Sequence, residues 1–370
     1  MVATLGLSHH KHEIDDLKSM GIGMDEMKTI RIHGSTGDST ILVGESIGSL
    51  KKYAPLERTV VITDENVRRH YQKDFPPCEV IEIKSGEKIK SLETVREIYQ
   101  RLTEIEADRS SFIVGIGGGV VCDIAGFVAS TYMRGVEFGF VSTTLLSQVD
   151  ASVGGKNGVN LGGYKNMVGV FNQPQFVICD LNLLKTLPEK DLLSGFAEIV
   201  KHAVIGDPEL FSYLEANYER GLSLDTEVIQ RLVFDSIVIK SSIVNRDEKE
   251  TGERRKLNFG HTLGHAIEKT TGVSHGEAVS AGMVIASALS NKWMYLSSED
   301  AEKIEGLLEK LKLPTRIPFD LGNVFDALGK DKKRNGNSIN FVLSRAIGHA
   351  VVEKISIKEL EMAISDLKAF

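Results

Sequence analysis

A strand, three consecutive glycines and a helix are predicted in the stretch SFIVGIGGGVVCDIAG (residues 111–126), and no other feature limits the fold as strongly. Similar apolar, β-rich runs lie at residues 59–64 and 138–141, and an amphipathic helical pattern between them ends near Ala107. Strands buried on both faces have this continuous apolar character, and strands that alternate with helices build a parallel sheet. We therefore predict an α/β fold whose N-terminal part is a doubly wound sheet.

The remaining periodicities divide the chain into three parts. Further strands are predicted as a hairpin at residues 28–43 and as single strands at 79–83 and 175–180. From about Pro188, helical patterns dominate at residues 189–205, 222–245, 279–293 and 300–311, before a strand at 339–348. We expect a disordered extension over residues 1–26, an α/β domain over 27–187 and a helical domain over 188–370.

The glycine-rich turn also indicates a ligand site. Glycines let a ligand approach the backbone, and the start of the following helix favours an anion such as a pyrophosphate. Asp64 and Asn66 follow another strand directly, and open α/β sheets bind their ligands at the carboxyl ends of strands. Because the glycines do not match the Rossmann fingerprint, a tight turn without a ligand stays the alternative to a dinucleotide site.

Residues 147–169, SQVDASVGGKNGVNLGGYKNMVG, combine glycine pairs with Lys156, Lys165, Asn157, Asn160 and Asn166. Lysines offer point charges to a phosphate, and glycines allow the chain to wrap around it. We interpret this stretch as an anion-binding loop, with a mobile surface loop as the alternative. A basic run at residues 330–334 is more typical of a solvated turn.

Histidines are concentrated in residues 257–279, LNFGHTLGHAIEKTTGVSHGEAV. His261 and His265 are four residues apart, so a helix places both imidazoles on one face, and His275 follows a short turn. Imidazoles suit zinc, cobalt or iron, although such a pair also occurs on solvated helix faces. No glutamate lies between the pair in the H-E-x-x-H arrangement of zinc peptidases.

Polar side chains at helical spacing surround this histidine-rich stretch. Glu198 pairs equally well with Lys201 at i, i+3 and with His202 at i, i+4, so the spacing leaves both partners open. Arg254 and Asn258 are also four residues apart, which predicts a polar face continuing towards the histidines on one helix.

Composition excludes several classes of protein. The net charge of -7 argues against a nucleic-acid partner, and no apolar stretch approaches the length of a membrane span. The three cysteines form no C-x-x-C pair, which favours a reducing cytoplasm over a disulfide scaffold. His9, His10 and His12 are expected to belong to the N-terminal tail, where metal binding would be adventitious.

Several segments together resemble the 3-dehydroquinate synthase family, sugar-phosphate cyclases of the shikimate pathway. The resemblance covers about residues 28–365 and rests on GGGVVCD, TTLLSQVDASVGGKNGVN, KNMVGVFNQP, LKTLP, GFAEIVKHA, HGEAV, DKK and the run from Glu250 to Glu268. It implies an N-terminal NAD-binding domain, a C-terminal helical domain and a divalent metal, Zn²⁺ or Co²⁺, in the cleft between them. It also implies a homodimer.

The resemblance assigns roles that spacing does not. It implies the metal ligands Glu198, His261 and His275, whereas spacing alone would choose His261 with His265. The residues implied to contact NAD⁺ are Asp64, Asn66, Glu87, Lys90, Gly118, Gly119, Val120, Val121, Cys122, Asp123, Thr143, Thr144, Lys156, Lys165, Leu183, Leu184, Lys185 and Thr186. The residues implied to serve the substrate are Asp150, Lys156, Asn166, Lys201, Lys240, Glu250, Arg254, Asn258, His265 and Lys333, with Arg134 reaching across a dimer interface.

The sequence departs from the family pattern at three positions. Cys122, Ser142 and Asn157 stand where the family commonly has Gly, Pro and Thr. None of these differences removes a charged or ligating group, so we expect activity to survive them.

The resemblance implies conversion of a seven-carbon keto-acid sugar phosphate to 3-dehydroquinate and phosphate, with NAD⁺ used and regenerated. Another sugar-phosphate cyclase, or a metal- and NAD-dependent polyol dehydrogenase of the same fold, is the alternative enzyme. A polyol dehydrogenase would not need so many cationic side chains. A non-catalytic nucleotide-binding regulator would not need Glu198, His261 and His275 together with Lys201.

Overall fold

The structure, a computed structural model, describes residues 27–329, 334–335 and 338–367. The N-terminal extension expected over residues 1–26, and Lys333, lie outside the described residues. The chain forms two compact units: unit 1 runs through Leu187 and includes Ile229–Glu248, and unit 2 consists of Pro188–Val228 and the chain from Lys249 onwards. The domain boundary predicted from the sequence, after residue 187, coincides with the end of the first part of unit 1. The prediction assigned residues 229–248 to the second domain, whereas the structure places them in unit 1.

Unit 1 is built on a seven-stranded sheet. Its strands and one separate hairpin are β1 (Lys28–Gly34), β2 (Gly37–Val43), β3 (Thr59–Asp64), β4 (Glu79–Ile83), β5 (Phe112–Gly117), β6 (Glu137–Ser142), β7 (Lys156–Leu161), β8 (Tyr164–Phe171) and β9 (Phe176–Cys179). The strand order is β1-β2-β9-β6-β5-β3-β4, parallel except for the β1–β2 hairpin. The doubly wound α/β prediction is confirmed, and β9 lies inside the sheet because it pairs with both β2 and β6.

Helices of unit 1 follow the strands with recognisable end signals. They are α1 (Glu65–Tyr71), α2 (Leu92–Glu104) and α3 (Gly119–Thr131). Ser91 caps α2 by accepting a hydrogen bond from the Thr94 amide at 3.3 Å, and Val95, Ile98 and Leu102 form its buried stripe. Each buried aliphatic side chain contributes about 1.5–3 kcal/mol of hydrophobic free energy. A charge in place of Ile98 would remove this contribution and bury an unpaired group.

The stretch at residues 147–169 is more ordered than the predicted loop. Residues Ser147–Ala151 form a π-helical turn, and β7 pairs with β8 in an antiparallel hairpin whose residues 157–159 are buried. Gly158 and Gly169 face each other across this hairpin, where a Cβ on Gly158 would lie 2.6 Å from the Val168 carbonyl oxygen. The prediction of a loop was therefore wrong: the glycines permit close strand pairing, and the lysines lie on the exposed part of the hairpin.

Unit 2 is mainly helical. The helices that begin in it are α4 (Glu189–Gly206), α5 (Pro208–Leu222), α6 (Thr226–Arg246), α7 (His261–Thr271), α8 (His275–Lys292), α9 (Ser298–Lys310), α10 (Leu321–Gly329) and α11 (Ile357–Ser365), and from Ile229 α6 belongs to unit 1. Strands β10 (Arg334–Asn335), β11 (Ser338–Ala346) and β12 (His349–Ser356) form an antiparallel sheet. Helix α5 was not predicted, although Asp207 caps it and Pro208 occupies its first turn.

Two helices of unit 2 approach each other unusually closely. A Cβ on Gly282 of α8 would lie 2.0 Å from the Gly260 carbonyl oxygen, and one on Gly264 of α7 would lie 3.0 Å from the Ala278 carbonyl oxygen. Gly260 itself has φ of +75°, a conformation that favours glycine. These glycines let the start of α7 pack against the first two turns of α8, which brings His261 and His275 together.

The polar face predicted on one continuous helix is not present. Arg254 and Asn258 lie in a separate 3₁₀ helix, Glu253–Asn258, and the left-handed Gly260 separates it from α7. Spacing counted across this break does not place side chains on one face.

Among the helices of the described residues, none has the length and apolar character that a membrane-spanning segment requires.

Candidate functional site

Three potential metal ligands of unit 2 converge on one point. Glu198 lies in the middle of α4, while His261 and His275 are the first residues of α7 and α8. The His261 Nε2 is 3.2 Å and the His275 Nε2 is 3.1 Å from the same Glu198 oxygen, Oε1. One ligand atom from each residue lies within 4.8 Å of the others, and Glu198 is fully buried. A carboxylate and two imidazoles form a donor set that suits Zn²⁺ or Co²⁺.

The hydrogen-bonding of His261 supports this interpretation. Its Nδ1 is 3.1 Å from the Phe259 carbonyl oxygen, which can only accept, so Nδ1 carries the hydrogen. Burial lowers the pKa of His261, even though Glu198 opposes the shift, so this imidazole is neutral near pH 7. The Nε2 lone pair then faces the lone pairs of Glu198 Oε1, and a cation between these acceptors would stabilise the arrangement.

His275 has a different set of neighbours. Burial alone would lower its pKa, but the carboxylates of Glu198 and Glu268 outweigh burial and raise the pKa to about 9. The His275 Nδ1 is 3.7 Å from Glu268 Oε2, on the side of the ring away from Glu198. A capping box fixes the start of α8, because the Glu277 carboxylate accepts hydrogen bonds from both the amide and hydroxyl of Ser274.

Lys201 lies beside Glu198, one turn further along α4. The two side chains form an ion pair and are 1% and 0% exposed, respectively. Burial raises the pKa of Glu198, but the adjacent Lys201 ammonium outweighs burial and holds that pKa well below its usual range. Glu198 is therefore an anion, which is the state that a metal ligand requires.

His265 lies near the proposed metal ligands but does not belong to the group formed by Glu198, His261 and His275. Its ring centroid is 5.2 Å from that of His261 and 6.0 Å from that of His275. The side chain is half-buried at the second turn of α7. Spacing alone favoured His265 as a ligand, whereas the geometry groups His261 with Glu198 and His275.

The segment before α7 carries a second polar group. The Asn258 Nδ2 donates a hydrogen bond to Glu250 Oε1 at 2.6 Å, and Glu250 adopts a positive φ of 58°. Arg254 is 2% exposed, and burying a guanidinium is costly without anionic or polar partners. These side chains combine a fixed carboxylate–amide pair with a buried cation.

In unit 1, the glycine-rich turn forms the junction between β5 and α3. Gly118 is the N-cap of α3, no side chain caps the helix, and residues 118–120 are partly exposed between buried neighbours. A Cβ on Gly118 would lie 2.9 Å from Thr144 Cγ2, and one on Gly119 would lie 2.9 Å from Ala151 Cβ. The turn therefore presents backbone amides in a cradle that side chains would fill, which fits a pyrophosphate.

Other residues predicted to contact the dinucleotide lie at the same carboxyl edge of the sheet. The Asp64 Oδ1 accepts hydrogen bonds from the Asn66 amide at 2.9 Å and the Val67 amide at 3.0 Å. The Thr143 amide donates to the Gly117 carbonyl oxygen at 3.0 Å. The side chains of Val121 and Cys122 are buried, as are Leu183 and Leu184. Lys185 and Thr186, by contrast, are exposed.

Lys90 connects two other predicted site residues, Asp123 and Asn166. It is 5% exposed, forms an ion pair with Asp123 and donates a hydrogen bond to Asn166 Oδ1 at 2.5 Å. Burial raises the pKa of Asp123, although Lys90 opposes the shift. Asn160, which the sequence placed in a polar stretch without a role, donates from Nδ2 to Glu87 Oε1 at 2.8 Å. The sequence contains no signal for this bond, because the two residues are far apart in the chain.

The cations of unit 1 differ in their surroundings. Lys240 is buried and forms an ion pair with Asp150, and its Nζ also donates to the Asp150 carbonyl oxygen at 2.6 Å. Lys156, Lys165 and Arg134 are exposed. Arg134 has φ of 72° and follows α3 in a 3₁₀ turn.

The chain is similar to known proteins both in sequence and in structure. The family models described as 3-dehydroquinate synthase N-terminal and C-terminal match residues 80–194 and 195–334. A 3-dehydroquinate synthase of Geotalea uraniireducens (strain Rf4) is 44% identical over 353 residues, covering 92% of this chain and 96% of the relative.

Solved structures give the same result for the fold. A 2-deoxy-scyllo-inosose synthase complexed with carbaglucose-6-phosphate, NAD⁺ and Co²⁺ has a TM-score of 0.80 and 26% identity, covering 91% of this chain and 99% of its own. A 2-epi-5-epi-valiolone synthase from Streptomyces hygroscopicus subsp. jinggangensis 5008, with NAD⁺ and Zn²⁺ bound, has a TM-score of 0.81 and 26% identity, covering 89% and 96%. On the sequence matches above, this chain belongs to the 3-dehydroquinate synthase family.

Proposed function

We propose that this chain converts 3-deoxy-D-arabino-heptulosonate 7-phosphate to 3-dehydroquinate and phosphate, using NAD⁺ catalytically together with Zn²⁺ or Co²⁺. Membership of the 3-dehydroquinate synthase family supports the reaction. The single observation that carries the proposal is the convergence of Glu198, His261 and His275 on one point. The enzyme is then a carbon–oxygen lyase that eliminates phosphate.

The metal would be held by Glu198, His261 and His275. Glu198 is ionised and His261 is neutral, as ligands must be, whereas His275, whose pKa is raised to about 9, would release a proton when the metal binds. When bound, a divalent metal supplies Lewis acidity, which lowers the pKa of a coordinated hydroxyl. The metals bound by the two solved relatives, Co²⁺ and Zn²⁺, are consistent with this donor set.

NAD⁺ would bind in unit 1, at the cradle formed by Gly118 and Gly119. Asp64 is the last residue of β3, and Glu87 and Lys90 follow β4, the strand that pairs with β3. When bound, the nicotinamide supplies a reversible hydride acceptor. The two solved relatives that contain NAD⁺ support this assignment by similarity alone.

The cationic side chains would bind the substrate's phosphate and carboxylate. In unit 1 these are Lys156 and Lys240, and in unit 2 they are Lys201 and Arg254. The planar guanidinium of Arg254 suits a carboxylate or phosphate, whereas each lysine offers a point charge. Asn166 and Asn258 would orient substrate hydroxyls through their amides. Lys333 and Arg134 are proposed from family resemblance alone.

His265 would transfer a proton during opening of the substrate ring. Its imidazole is partly accessible and lies next to the proposed metal ligands without being one of them. An imidazole can both accept and donate a proton, and histidine is the side chain most often used for general acid–base catalysis. Glu250, held by Asn258, is the second candidate for proton transfer in the same unit.

The rival functions differ in what they release. A polyol dehydrogenase accumulates NADH, and another sugar-phosphate cyclase releases phosphate from a different sugar phosphate. We propose to incubate the metal-loaded protein with NAD⁺ and the seven-carbon substrate and to measure phosphate and 3-dehydroquinate. If phosphate is released only from a different sugar phosphate, that compound is the substrate and the proposed seven-carbon substrate is wrong.

We further propose a cytoplasmic homodimer. Met167 and Phe171 are exposed on one face of β8, and Met133, beside Arg134, is also exposed. Exposed apolar side chains at a hairpin and at the adjacent turn suit a contact with a second copy. Sedimentation equilibrium measures the assembly state, and a monomer at micromolar concentration would contradict this part of the proposal.

A further inference from the structure

Asn160 lies at a break in the pairing of β7 with β8. The register shifts between Val159 and Leu161, so Asn160 has no regular partner in the hairpin. Its backbone instead forms a parallel bridge to Ser91, with the Asn160 amide donating to the Lys90 carbonyl oxygen at 2.8 Å. Bulges of this kind redirect a side chain out of a regular ladder. Here the bulge directs Asn160 towards the segment that contains Glu87 and Lys90.

The Asn160 side chain donates one hydrogen bond and accepts another. Its Nδ2 donates to Glu87 Oε1 at 2.8 Å, and its Oδ1 accepts from the Asn166 amide at 2.8 Å. Asn166 has a φ of +51°, in the left-handed region that residues with a side chain seldom adopt, and this hydrogen bond from its amide holds the backbone there. Lys90 then donates to Asn166 Oδ1, which closes the network.

From this geometry we infer that Asn160 is a positioning residue that couples the proposed dinucleotide segment to the proposed substrate side of the hairpin. It orients the Glu87 carboxylate and holds Asn166 in its left-handed conformation. The inference rests on the proposed function for the roles of Glu87 and Asn166. Asn160 itself contacts neither ligand in this scheme and acts through its two neighbours.

The first experiment needs no ligand. Hydrogen exchange measured by mass spectrometry on the full-length protein reports protection of residues 162–168, including the Asn166 amide. In Asn160→Ala this amide loses its acceptor, and we expect exchange of the segment to accelerate at least tenfold. Asn172→Ala is the matched control, because the Asn172 Nδ2 donates to Ser130 Oγ at 2.9 Å near the other end of the hairpin. Unchanged exchange in Asn160→Ala would overturn the inference.

The second experiment uses a repair of the hydrogen bond. Asn160→Asp keeps the acceptor for Asn166 but faces Glu87 with a second carboxylate, so we expect the Kd of NAD⁺ to rise at least tenfold in calorimetry. Adding Glu87→Gln restores the hydrogen bond with donor and acceptor exchanged, because the new amide at position 87 donates to the new carboxylate at position 160. The Kd of NAD⁺ for this double variant should be within about threefold of the Kd for Glu87→Gln alone. Asn172→Asp should leave the Kd within twofold of the wild type.

The outcomes separate this inference from the proposed function. A lower melting temperature in Asn160→Asp with an unchanged Kd would show that Asn160 only stabilises the fold, and the inference would be wrong. Absence of NAD⁺ binding in the wild-type protein would contradict the proposed cofactor. The exchange experiment would then still decide whether Asn160 holds the conformation of Asn166.

Discussion

Glu198→Gln removes one charge from the buried pair that Glu198 forms with Lys201. The two side chains are 0% and 1% exposed, so the buried ammonium would lose the charge of the Glu198 carboxylate. Breaking a buried ion pair on one side costs about 3–5 kcal/mol. The substitution keeps the size of the side chain, so this cost comes from charge rather than from a cavity. We expect the metal-free variant to lose about 3–5 kcal/mol of its free energy of unfolding.

Urea unfolding of chelator-treated protein measures this change. With a denaturant slope of about 3 kcal/mol/M, the midpoint should fall by about 1 M or more. Lys201→Met should also destabilise the protein, because Glu198 is left without the ammonium. The double variant Glu198→Gln/Lys201→Met removes both charges, and its loss should be clearly smaller than the sum of the single losses. A single variant Glu198→Gln that unfolds at the wild-type midpoint would refute this reasoning.

Three further predictions concern single side chains. His275→Ala should lose bound metal and activity together, and a full equivalent of metal by elemental analysis would contradict its assignment as a ligand. The variants Lys156→Ala and Arg134→Ala should have melting temperatures within about 2 °C of the wild type, because both side chains are exposed. The KM for the substrate should rise in both. A large drop in melting temperature with an unchanged KM would contradict a role in substrate binding. Cys78 should react with a thiol reagent before the other two cysteines, because burial raises the pKa of those thiols further and encloses them; equal reaction of all three in the folded protein would contradict it.

The sequence predicted the sheet of unit 1 well because its signals are local. Strands β3, β5 and β9 are short, continuous apolar runs, β1 and β4 alternate apolar with polar residues, and Gly118 and Gly119 mark the turn after β5. The prediction was wrong where pairing depends on distant residues. Nothing within residues 147–169 shows that Gly158 will face Gly169 closely enough to form a hairpin.

In unit 2, helical spacing failed at a backbone break. Asn258 and Thr262 are four residues apart, yet the left-handed Gly260 lies between them and ends the periodicity. Spacing also selected His265 rather than His275 to accompany His261. The convergence of His275 with Glu198 depends on close packing of α7 against α8 and on α4, which a count along the chain does not describe. Family resemblance, not spacing, indicated that set.

The central claim is that oxidation is transient and that phosphate leaves. The direct test follows reduced nicotinamide absorbance and free phosphate together, with the metal-loaded protein, NAD⁺ and the seven-carbon substrate in one cuvette. We predict many turnovers of phosphate per enzyme with no net NADH, because hydride returns to the substrate before the product dissociates. NADH that accumulates one for one with consumed substrate, without phosphate release, would contradict the proposed function.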